Sequence, residues 1–517
     1  MEWNYTFMYF LGKSFSLSTN LISHDLSKGI SLDNSCLYDV HLHSEYDEIN
    51  NLRDYLFNFL STNDGQFVNK NKTKNKAQIK NLIINLFKVF NDDPTMYVAI
   101  HLGKPYYTSL KSRYNELHIK TILIPAVHLL AEHKYIELHT GFFDKSSKIG
   151  RISRIRATNK LIKLFNKRNL HPQMIQRSKN IELIIMRDTL NKNEIDYEDN
   201  EETVKMREDL RKYNELLAKT YIDIPMHSER GIRVKIRKND KEFKYISINQ
   251  TEKVIRRIFN NNSWEDGGRF YGGWWQRIPS EARQQIHFFN VPSSEIDYSG
   301  LHIKLLYLQY GHDLKEDPYS IPGIEQNEMN RRIIKLCMLN LINAKDENLA
   351  LKAIQNEINF DTDLYNFYKQ NKIQIKQFTQ LIKQHHALIK DSFGTGAGIK
   401  LQKFDAMIAE EIINHFTKLD IPVLCIHDSF IISADKTEEL DKVMQEKFNE
   451  VLFKLNYQPK GSKVKFKGLE KDEFNAWLSR PEYRNIMIDN LTKLKYDYPI
   501  WYEKMQFFKQ NYKRSFI

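Results

Sequence analysis

Two strand-like runs in the C-terminal half of this 517-residue chain each carry an aspartate. The run NVPSSEI leads towards Asp297, and the residues after it, SGLHIKLLYLQYG, have the apolar spacing of a helix. The run PVLCIHDSFIISA places Asp428 between two short apolar segments, which predicts a hairpin with a polar apex. Carboxylates at a strand end and at a hairpin apex can meet on one sheet. The sequence therefore predicts a sheet on which Asp297 and Asp428 come together.

The bulk composition limits the classes of protein that fit. A chain of this length exceeds what one hydrophobic core usually organises, so we expect about two to four packed units. Lys and Arg outnumber Asp and Glu by 77 to 65, which favours a polyanionic partner. The three cysteines form no CxxC pair, so neither disulfides nor zinc are indicated. No signal pattern or membrane-length apolar run occurs, and we expect a cytoplasmic protein that does not use a membrane.

Changes in composition suggest where the units divide. The polar run NKNKTKNK, residues 69–76, predicts a solvated loop. Apolar residues at helical spacing predict helices near 80–90, 119–135 and 200–219. The predicted divisions are an N-terminal region of unassigned role (1–75), a candidate winged-helix DNA-binding domain (76–170), a helical thumb-like or connecting region (171–264), the region of the two aspartates (265–470) and a basic aromatic tail (471–517).

The winged-helix interpretation comes from residues 135–165, which read as strand, basic turn, strand and helix. Cations spaced along a wing can each displace counterions from DNA phosphates. The candidate contacts are Lys148, Arg151, Arg154 and Arg156. The alternative is an ordinary hairpin with a solvated basic face.

A cationic helix lies between the two aspartates in sequence. In NEMNRRIIKLCMLNLINAK, residues 327–345, Arg331 and Lys335 are four apart and share a helical face. Arg can grip a terminal phosphate with two parallel hydrogen bonds, and Lys supplies a compact charge. Two aspartates could in turn hold a pair of divalent ions about 3.5 to 4 Å apart for phosphoryl transfer. The alternatives are a solvated basic stripe and aspartates that only cap turns.

Together these segments resemble the palm and fingers of the family A DNA polymerases, a superfamily that also includes the single-subunit RNA polymerases. GGRFYGGWWQRIPSE resembles the Gly-Arg segment followed by Gln-x-Ile-Pro. IDYSGLH resembles motif A, RIIKLCMLNLINA motif B and CIHDSF motif C, in that order. The resemblance implies an α+β right-hand fold, with an antiparallel palm sheet and helical fingers and thumb, next to a mainly helical N-terminal region with the candidate winged helix.

The resemblance also implies roles for individual residues. Asp297 and Asp428 would hold two Mg²⁺ ions, with Mn²⁺ able to substitute. Arg331 and Lys335 would bind the incoming triphosphate. Contacts to primer or template would come from Arg269, Gln276, Gln402 and His427. Two further nucleotide-binding positions are His302, where the DNA polymerases have a sugar-selecting Glu, and Asn343, where they have an aromatic residue.

The expected activity is addition of dNTPs to a primer on a DNA template. Motif C reads His-Asp-Ser, with Ser429 as in the RNA polymerases, so a primase-polymerase or RNA polymerase is the alternative. A DNA-binding replication initiator with an inactive palm is another. The composition also resembles the A-family polymerase of staphylococcal cassette elements, which implies replication of a mobile element, with a small accessory protein and a helicase as partners.

Two further sequence features concern other activities. No Asp-x-Glu of the proofreading type precedes residue 265, so we expect no editing domain. The run HLHSEYD at residues 41–47 resembles a metal site, but solvated histidines near acids are the preferred interpretation.

Overall fold

The computed structural model describes residues 32–69, 71–109, 112–114, 121–147, 149–178, 180–225, 232–235, 243–246, 248–455, 464–467, 495 and 498–511. These residues form a mixed α+β structure with two large hydrophobic cores. The first core is built from residues between 42 and 175, and the second from residues between 181 and 452. We call the two parts the N-terminal unit and the C-terminal unit.

The N-terminal unit packs helices against a four-stranded sheet of order β1-β3-β7-β4. Its helices are α1 (Asp47–Asn63), α2 (Gln66–Asn69), α3 (Lys72–Asp92), α4 (Lys104–Ser109), α5 (Leu123–Glu132) and α6 (Asn159–Lys167). Its strands are β1 (Ser35–Leu37), β2 (Leu42–His43), β3 (Tyr97–Ile100), β4 (Ile136–His139), β5 (Phe142–Phe143), β6 (Gly150–Arg151), β7 (Ser153–Ala157) and β8 (Gln176–Arg177). Strand β7 pairs antiparallel with both β3 and β4, and β5 pairs with β6 at the tip of the β4–β7 hairpin. This pairing is compatible with a winged helix, which stays a prediction.

The loop predicted at residues 69–76 is instead the start of a helix from Lys72 onwards. Asn71 precedes α3 in the left-handed conformation, with φ of 57°. Leu56 of α1 and Ile83 of α3 belong to the same core, so the described chain has no unit boundary near residue 75. Polar residues at the start of α3 face solvent, and its apolar face forms only further along.

The C-terminal unit contains three sheets and a set of helices around them. Its strands are β9 (Ile184–Arg187), β10 (Glu194–Ile195), β11 (Ile222–Asp223), β12 (Ile232–Lys235), β13 (Phe243–Ile246), β14 (Arg256–Asn260), β15 (Ser263–Tyr271), β16 (His287–Phe288), β17 (Val291–Tyr298), β18 (Val423–Ile426), β19 (Ser429–Ser433) and β20 (Val464–Lys467). Its helices are α7 (Glu201–Lys219), α8 (Ser280–Arg283), α9 (Leu301–Gln309), α10 (Glu328–Asn343), α11 (Glu347–Phe360), α12 (Thr362–Gln370), α13 (Ile375–His385), α14 (Gly398–Lys418), α15 (Thr437–Lys454) and α16 (Pro499–Asn511).

The region 171–264 differs from the helical region predicted there. It contains one long helix, α7, among several strands, and the buried Tyr213 of α7 packs into the second core with the rest of the C-terminal unit. Asn200 caps α7 by accepting a hydrogen bond from Thr203 N. The predicted helix is confirmed, but the region as a whole is a mixture of strand and helix.

Two sheets of the C-terminal unit position the candidate site. The first, which we call the aspartate sheet, has the order β11-β16-β17-β19-β18, with β20 also paired to β17. The second, which we call the adjoining sheet, has the order β10-β9-β14-β15. Helix α14 packs along β15, and the fully buried Trp274 and Trp275 fill the space after that strand.

Helix α16 contacts both units. Its Phe507 stacks on His171 with ring centroids 4.7 Å apart, and Lys504 O accepts a hydrogen bond from Gln173 Nε2 at 2.8 Å. On its other side Trp501 and Phe508 cluster with Tyr221 of the C-terminal unit. Within the described ranges, no helix has both the length and the apolar character needed to cross a membrane.

Candidate active site

The two aspartates meet at one end of the aspartate sheet. Strands β17 and β19 are antiparallel, and Asp297 lies directly opposite Ser429, the residue after Asp428. Tyr298 N donates to Asp428 O at 3.1 Å, which ties the strand end to the hairpin. The β18–β19 turn is tight, and His427 occupies the left-handed region with φ of 58°. The predicted strands, the hairpin and the helix after Asp297 are all present.

Burial determines the electrostatics of the hairpin apex. Burial raises the pKa of the Asp428 carboxyl, the nearby Asp405 raises it further, and Arg269 and His302 oppose this rise. Burial also lowers the pKa of His427 to about 4, so its imidazole is neutral at physiological pH. A buried carboxylate in this state would gain strongly from a bound cation.

Ser429 has a structural contact rather than a free hydroxyl. Its Oγ donates to Glu295 Oε1 at 2.6 Å, and Arg283 Nη2 donates to the same oxygen at 2.9 Å. Glu295 precedes Asp297 by two residues on β17, so both side chains start from the same face of the sheet. A serine at this position of the hairpin therefore anchors a buried Arg–Glu pair under the aspartates.

A buried acid that the sequence did not single out organises two predicted site residues. Asp405, on α14, has a side chain only 1% exposed and forms an ion pair with Arg269 of β15. Arg269 Nε lies 3.0 Å from Oδ1 and 2.9 Å from Oδ2 of Asp405. His302 Nε2, on α9, lies 2.7 Å from Asp405 Oδ2 and 3.0 Å from Arg269 Nη2. Although burial alone would lower it, the hydrogen bonds to Asp405 raise the pKa of Arg269.

The two cations of α10 converge on one aromatic ring. The Arg331 guanidinium and the Lys335 ammonium each lie 5.2 Å from the ring centroid of Tyr319. The pKa of the Tyr319 phenol rises to about 12 through burial, with contributions from Asp428 and Asp297. Tyr319 therefore contacts the cationic face of α10 and feels the negative charge of both aspartates.

Arg331 is already engaged by an acid. It forms an ion pair with Asp317, whose side chain is 41% exposed, and Arg331 Nη2 donates to Oδ1 at 3.2 Å. Burial alone would raise the pKa of Asp317, but the hydrogen bonds from Arg331 and Tyr319 N and the charges of Arg331 and Lys335 together lower it. A triphosphate on α10 would replace Asp317 as the partner of Arg331.

Gln276, a predicted primer or template contact, has a side chain that is hydrogen-bonded to the surrounding backbone. Gln276 Nε2 donates to Phe270 O and to Cys425 O, each at 2.9 Å, and its Oε1 accepts from Gly272 N at 3.0 Å. Its amide therefore braces β15 against β18, and its contact with primer or template stays a prediction.

Gln402 and Asn343 mark the region where α14 begins. Gln402 lies on α14 nearly one turn before Asp405 and is partly exposed. Asn343 is exposed at the end of α10, and its Nδ2 donates to Leu339 O at 2.7 Å. A Cβ at Gly398 would lie 1.9 Å from Asn343 Oδ1, so a larger residue there would displace the Asn343 side chain. Nucleotide or template contacts by these two residues stay predictions.

The predicted wing contacts are largely engaged within the N-terminal unit. Arg156 Nε donates to Glu137 Oε2 at 3.1 Å, and Arg154 donates to Leu32 O and Ile152 O at 2.9 and 2.8 Å. The Arg151 guanidinium lies 5.6 Å from the ring of Phe142. Arg154 and Arg156 therefore support the sheet, and their contact with DNA stays a prediction, while Lys148 lies outside the described residues.

The HLHSEYD run does not assemble a metal site. His43 Nε2 contacts Glu45, and burial lowers the pKa of His41 to about 4. Among the described residues no group of three or more His, Cys, Asp and Glu side chains has an arrangement that could hold a metal ion.

The aspartate pair itself fits two hard divalent cations only in part. Asp297 and Asp428 supply carboxylate oxygens from neighbouring strands. Mg²⁺ retains water and takes further oxygens from substrate phosphates, so a complete protein cage is not required. The donor set is therefore compatible with Mg²⁺ bound together with a nucleotide.

Comparison with known proteins adds little to this geometry. No protein family model matches the chain, and no curated protein matches it. One matching solved structure is the POL domain of Pol1 from M. smegmatis in complex with DNA primer-template and dNTP. The match has 12% sequence identity, covers 83% of this chain and 67% of that chain, and has a TM-score of 0.22. A likeness with a TM-score of this size supports no conclusion about the fold or the activity of this chain.

Asp405, Tyr319 and Asp317 were not identified from the sequence, and only Asp405 has a sequence pattern that could have indicated it. Asp405 interrupts an apolar stripe formed by Leu401, Ile408 and Ile412, and a charge in such a stripe indicates a buried partner. Tyr319 and Asp317 lie in a loop, where no period marks them. Their positions become apparent only when α10 and the aspartate sheet are placed together.

Proposed function

We propose that this protein is a template-directed DNA polymerase that adds dNTPs to the 3′-hydroxyl of a primer. The observation that supports this most directly is the placement of Asp297 opposite Ser429, the residue after Asp428, while Arg331 and Lys335 share one face of α10 beside Tyr319. Carboxylates near cations that share one face fit a metal-bound triphosphate. The likeness of four ordered motifs to the family A polymerases supports the same activity.

Each group has a distinct task in this proposal. Bound divalent ions would activate the 3′-hydroxyl and stabilise the departing diphosphate. Asp297 and Asp428 would hold those ions, and Arg331 and Lys335 would orient the triphosphate. Neutral His427 would contact the primer end beside Asp428. His302, fixed by Asp405 and Arg269, would stand where the sugar of the incoming nucleotide enters.

The biological setting of the activity is part of the proposal and rests on the sequence resemblance alone. It includes replication of a mobile genetic element and help from a small accessory protein and a helicase. The +12 net charge fits a nucleic-acid partner, but it does not distinguish among the polymerase, primase and initiator hypotheses.

Primer extension with Mg²⁺ tests the activity. The full chain should extend a labelled primer on a DNA template with dNTPs, and Asp297→Ala and Asp428→Ala should each reduce extension to background. Asp420→Ala is the matched control, because the Asp420 side chain is 70% exposed, lies just before β18 and, within the described part of the chain, forms an ion pair only with Lys219. Unchanged extension by Asp428→Ala would show that the metal assignment is wrong.

The same assay separates the alternatives. Exclusive use of NTPs would favour an RNA polymerase, and products without a primer would favour a primase-polymerase. Binding to DNA without incorporation of either nucleotide type would favour a replication initiator.

A further inference from the structure

One face of the adjoining sheet carries a row of basic residues that leads away from the aspartates. Arg256 lies opposite Tyr271, and Ile258 lies opposite Arg269, on the antiparallel strands β14 and β15. Strand β9 runs parallel to β14 with Ile185 opposite Ile258. Residues opposite each other, or two apart on a strand, share a face. The residues on this face, which we call the arginine face, include Arg187, Arg256, Arg269 and Tyr271.

The arginine face borders the candidate active site. The ring centroid of Tyr271 lies 5.3 Å from that of His427, which precedes Asp428. Arg256 is the direct cross-strand neighbour of Tyr271, on the next strand of the sheet. A strand whose 3′ end lies at His427 could therefore continue over Tyr271 towards Arg256.

Most arginines around this sheet form an ion pair with an acid, but Arg187 and Arg256 form none among the described residues. Arg257, on the opposite face of β14, pairs with Glu410 at 2.7 Å, and Arg177 pairs with Asp39 at 2.7 Å. Within the described part of the chain, no ion pair is formed by the side chain of Arg187 or Arg256. Arg187 Nε is also buried without a hydrogen-bond partner there.

Arg187 and Arg256, which form no ion pair among the described residues, lie close enough for their positive charges to repel each other. Burial lowers the pKa of Arg256, and the positive charges of Arg177 and Arg187 lower it further, although Glu194 and Asp39 partly oppose this. A partly buried cation without a directly bonded acid is unfavourable, and arginine clusters bind phosphate with short, charge-assisted hydrogen bonds.

We propose that Arg187 and Arg256 form a phosphate-binding site that holds the primer strand a few nucleotides behind its 3′ end. This inference rests on the proposed polymerase function, because that function sets the direction of the strand. The same chemistry would be offered by a triphosphate at the 5′ end of a very short chain, so the test must separate a backbone phosphate from a terminal one.

The first experiment measures binding of the full chain to primer-template by fluorescence anisotropy, without divalent ions or nucleotides. A series of primers carries one neutral methylphosphonate linkage, moved stepwise back from the 3′ end. We expect one linkage at which wild-type affinity falls about tenfold or more. On the unmodified primer, Arg256→Ala should lose affinity by a similar factor. A neutral linkage at that position should weaken the binding of Arg256→Ala little further. Its salt slope should fall by about one.

Two controls protect this interpretation. Lys192→Ala removes an exposed cation at the β9–β10 turn of the same sheet, where its Nζ contacts Asn261 Oδ1 at 2.7 Å. It should leave the primer series unchanged. The methylphosphonate series on the wild-type protein needs no substitution, so it remains informative if Arg256→Ala folds poorly.

A second arm compares very short primers with a 5′-triphosphate or a 5′-hydroxyl. If the 5′-triphosphate increases affinity only when Arg256 is present, and no internal linkage is sensitive, then the site binds the 5′ end. That result would overturn the assignment to a backbone phosphate. Equal losses for Arg256→Ala and Lys192→Ala would overturn the site itself, as would equal sensitivity of wild type and Arg256→Ala at every linkage. Because binding needs no catalysis, a failure of wild-type extension would count against the polymerase proposal and leave these arms readable.

Discussion

Removing Asp405 should destabilise the C-terminal unit far more than removing Asp317, although each acid pairs with one arginine. The Asp405 side chain is 1% exposed and that of Arg269 is 14%, so the charge left behind by Asp405→Ala stays inside the protein. Breaking a buried pair by removing one partner costs about 3 to 5 kcal/mol. The Asp317–Arg331 pair is 41% and 33% exposed, and such pairs contribute about 0.2 to 1 kcal/mol.

Urea unfolding followed by tryptophan fluorescence measures this difference, because Trp274 and Trp275 are fully buried in the same core as α14. The free energy of unfolding should fall by about 3 to 5 kcal/mol in Asp405→Ala and by at most about 1 kcal/mol in Asp317→Ala. Asp405→Asn should lie between them, since an amide oxygen still accepts from Arg269. Equal losses in the two alanine variants would refute the argument that burial decides the cost.

Three further predictions concern the site itself. Asp317→Ala should lower the KM for dNTPs with little change in kcat, because Arg331 no longer has to break its ion pair with Asp317 to bind the triphosphate. Single-nucleotide incorporation measures both constants, and a higher KM would contradict this. Because burial raises the pKa of Asp428, its ionised side chain opposes folding at pH values above the usual aspartate pKa. Without divalent ions, Asp428→Asn should therefore raise Tm at neutral pH, and this gain should vanish in acid, where the wild-type carboxyl is protonated. Added Mg²⁺ should raise the Tm of the wild type only. His302→Ala should increase incorporation of NTPs relative to dNTPs, measured by competition on one template, whereas unchanged selectivity would remove His302 from sugar discrimination.

Local sequence patterns were sufficient for the elements that carry the aspartates and the cationic helix. Alternation and apolar runs predicted β17 and the β18–β19 hairpin, and the four-residue spacing of Arg331 and Lys335 predicted their shared face. These features depend on neighbours within about one turn or one hairpin. The structure places them as the sequence predicted, although their chemical roles stay predictions.

Features that depend on distant contacts could not be read from the chain in this way. Asp405 meets Arg269 across 136 positions of sequence, so neither residue reveals the other. The ion pair of a wing cation is hidden for the same reason. Arg156 lies opposite Glu137 in the β4–β7 register, and that acid engages the guanidinium for which the charge pattern predicts a DNA contact. Whether Arg156 also contacts DNA stays a prediction.

The contacts of α16 have a consequence for how the chain folds during synthesis. His171 and Gln173 belong to the N-terminal unit, yet their partners Phe507 and Lys504 follow far later, with 331 positions between Gln173 and Lys504. At typical translation rates of about 5 to 20 residues per second, a ribosome needs roughly 15 to 70 seconds to cover that distance. During this interval the N-terminal unit can fold, but the surface that receives α16 is uncovered. A chaperone can therefore reach this surface until α16 has been synthesised.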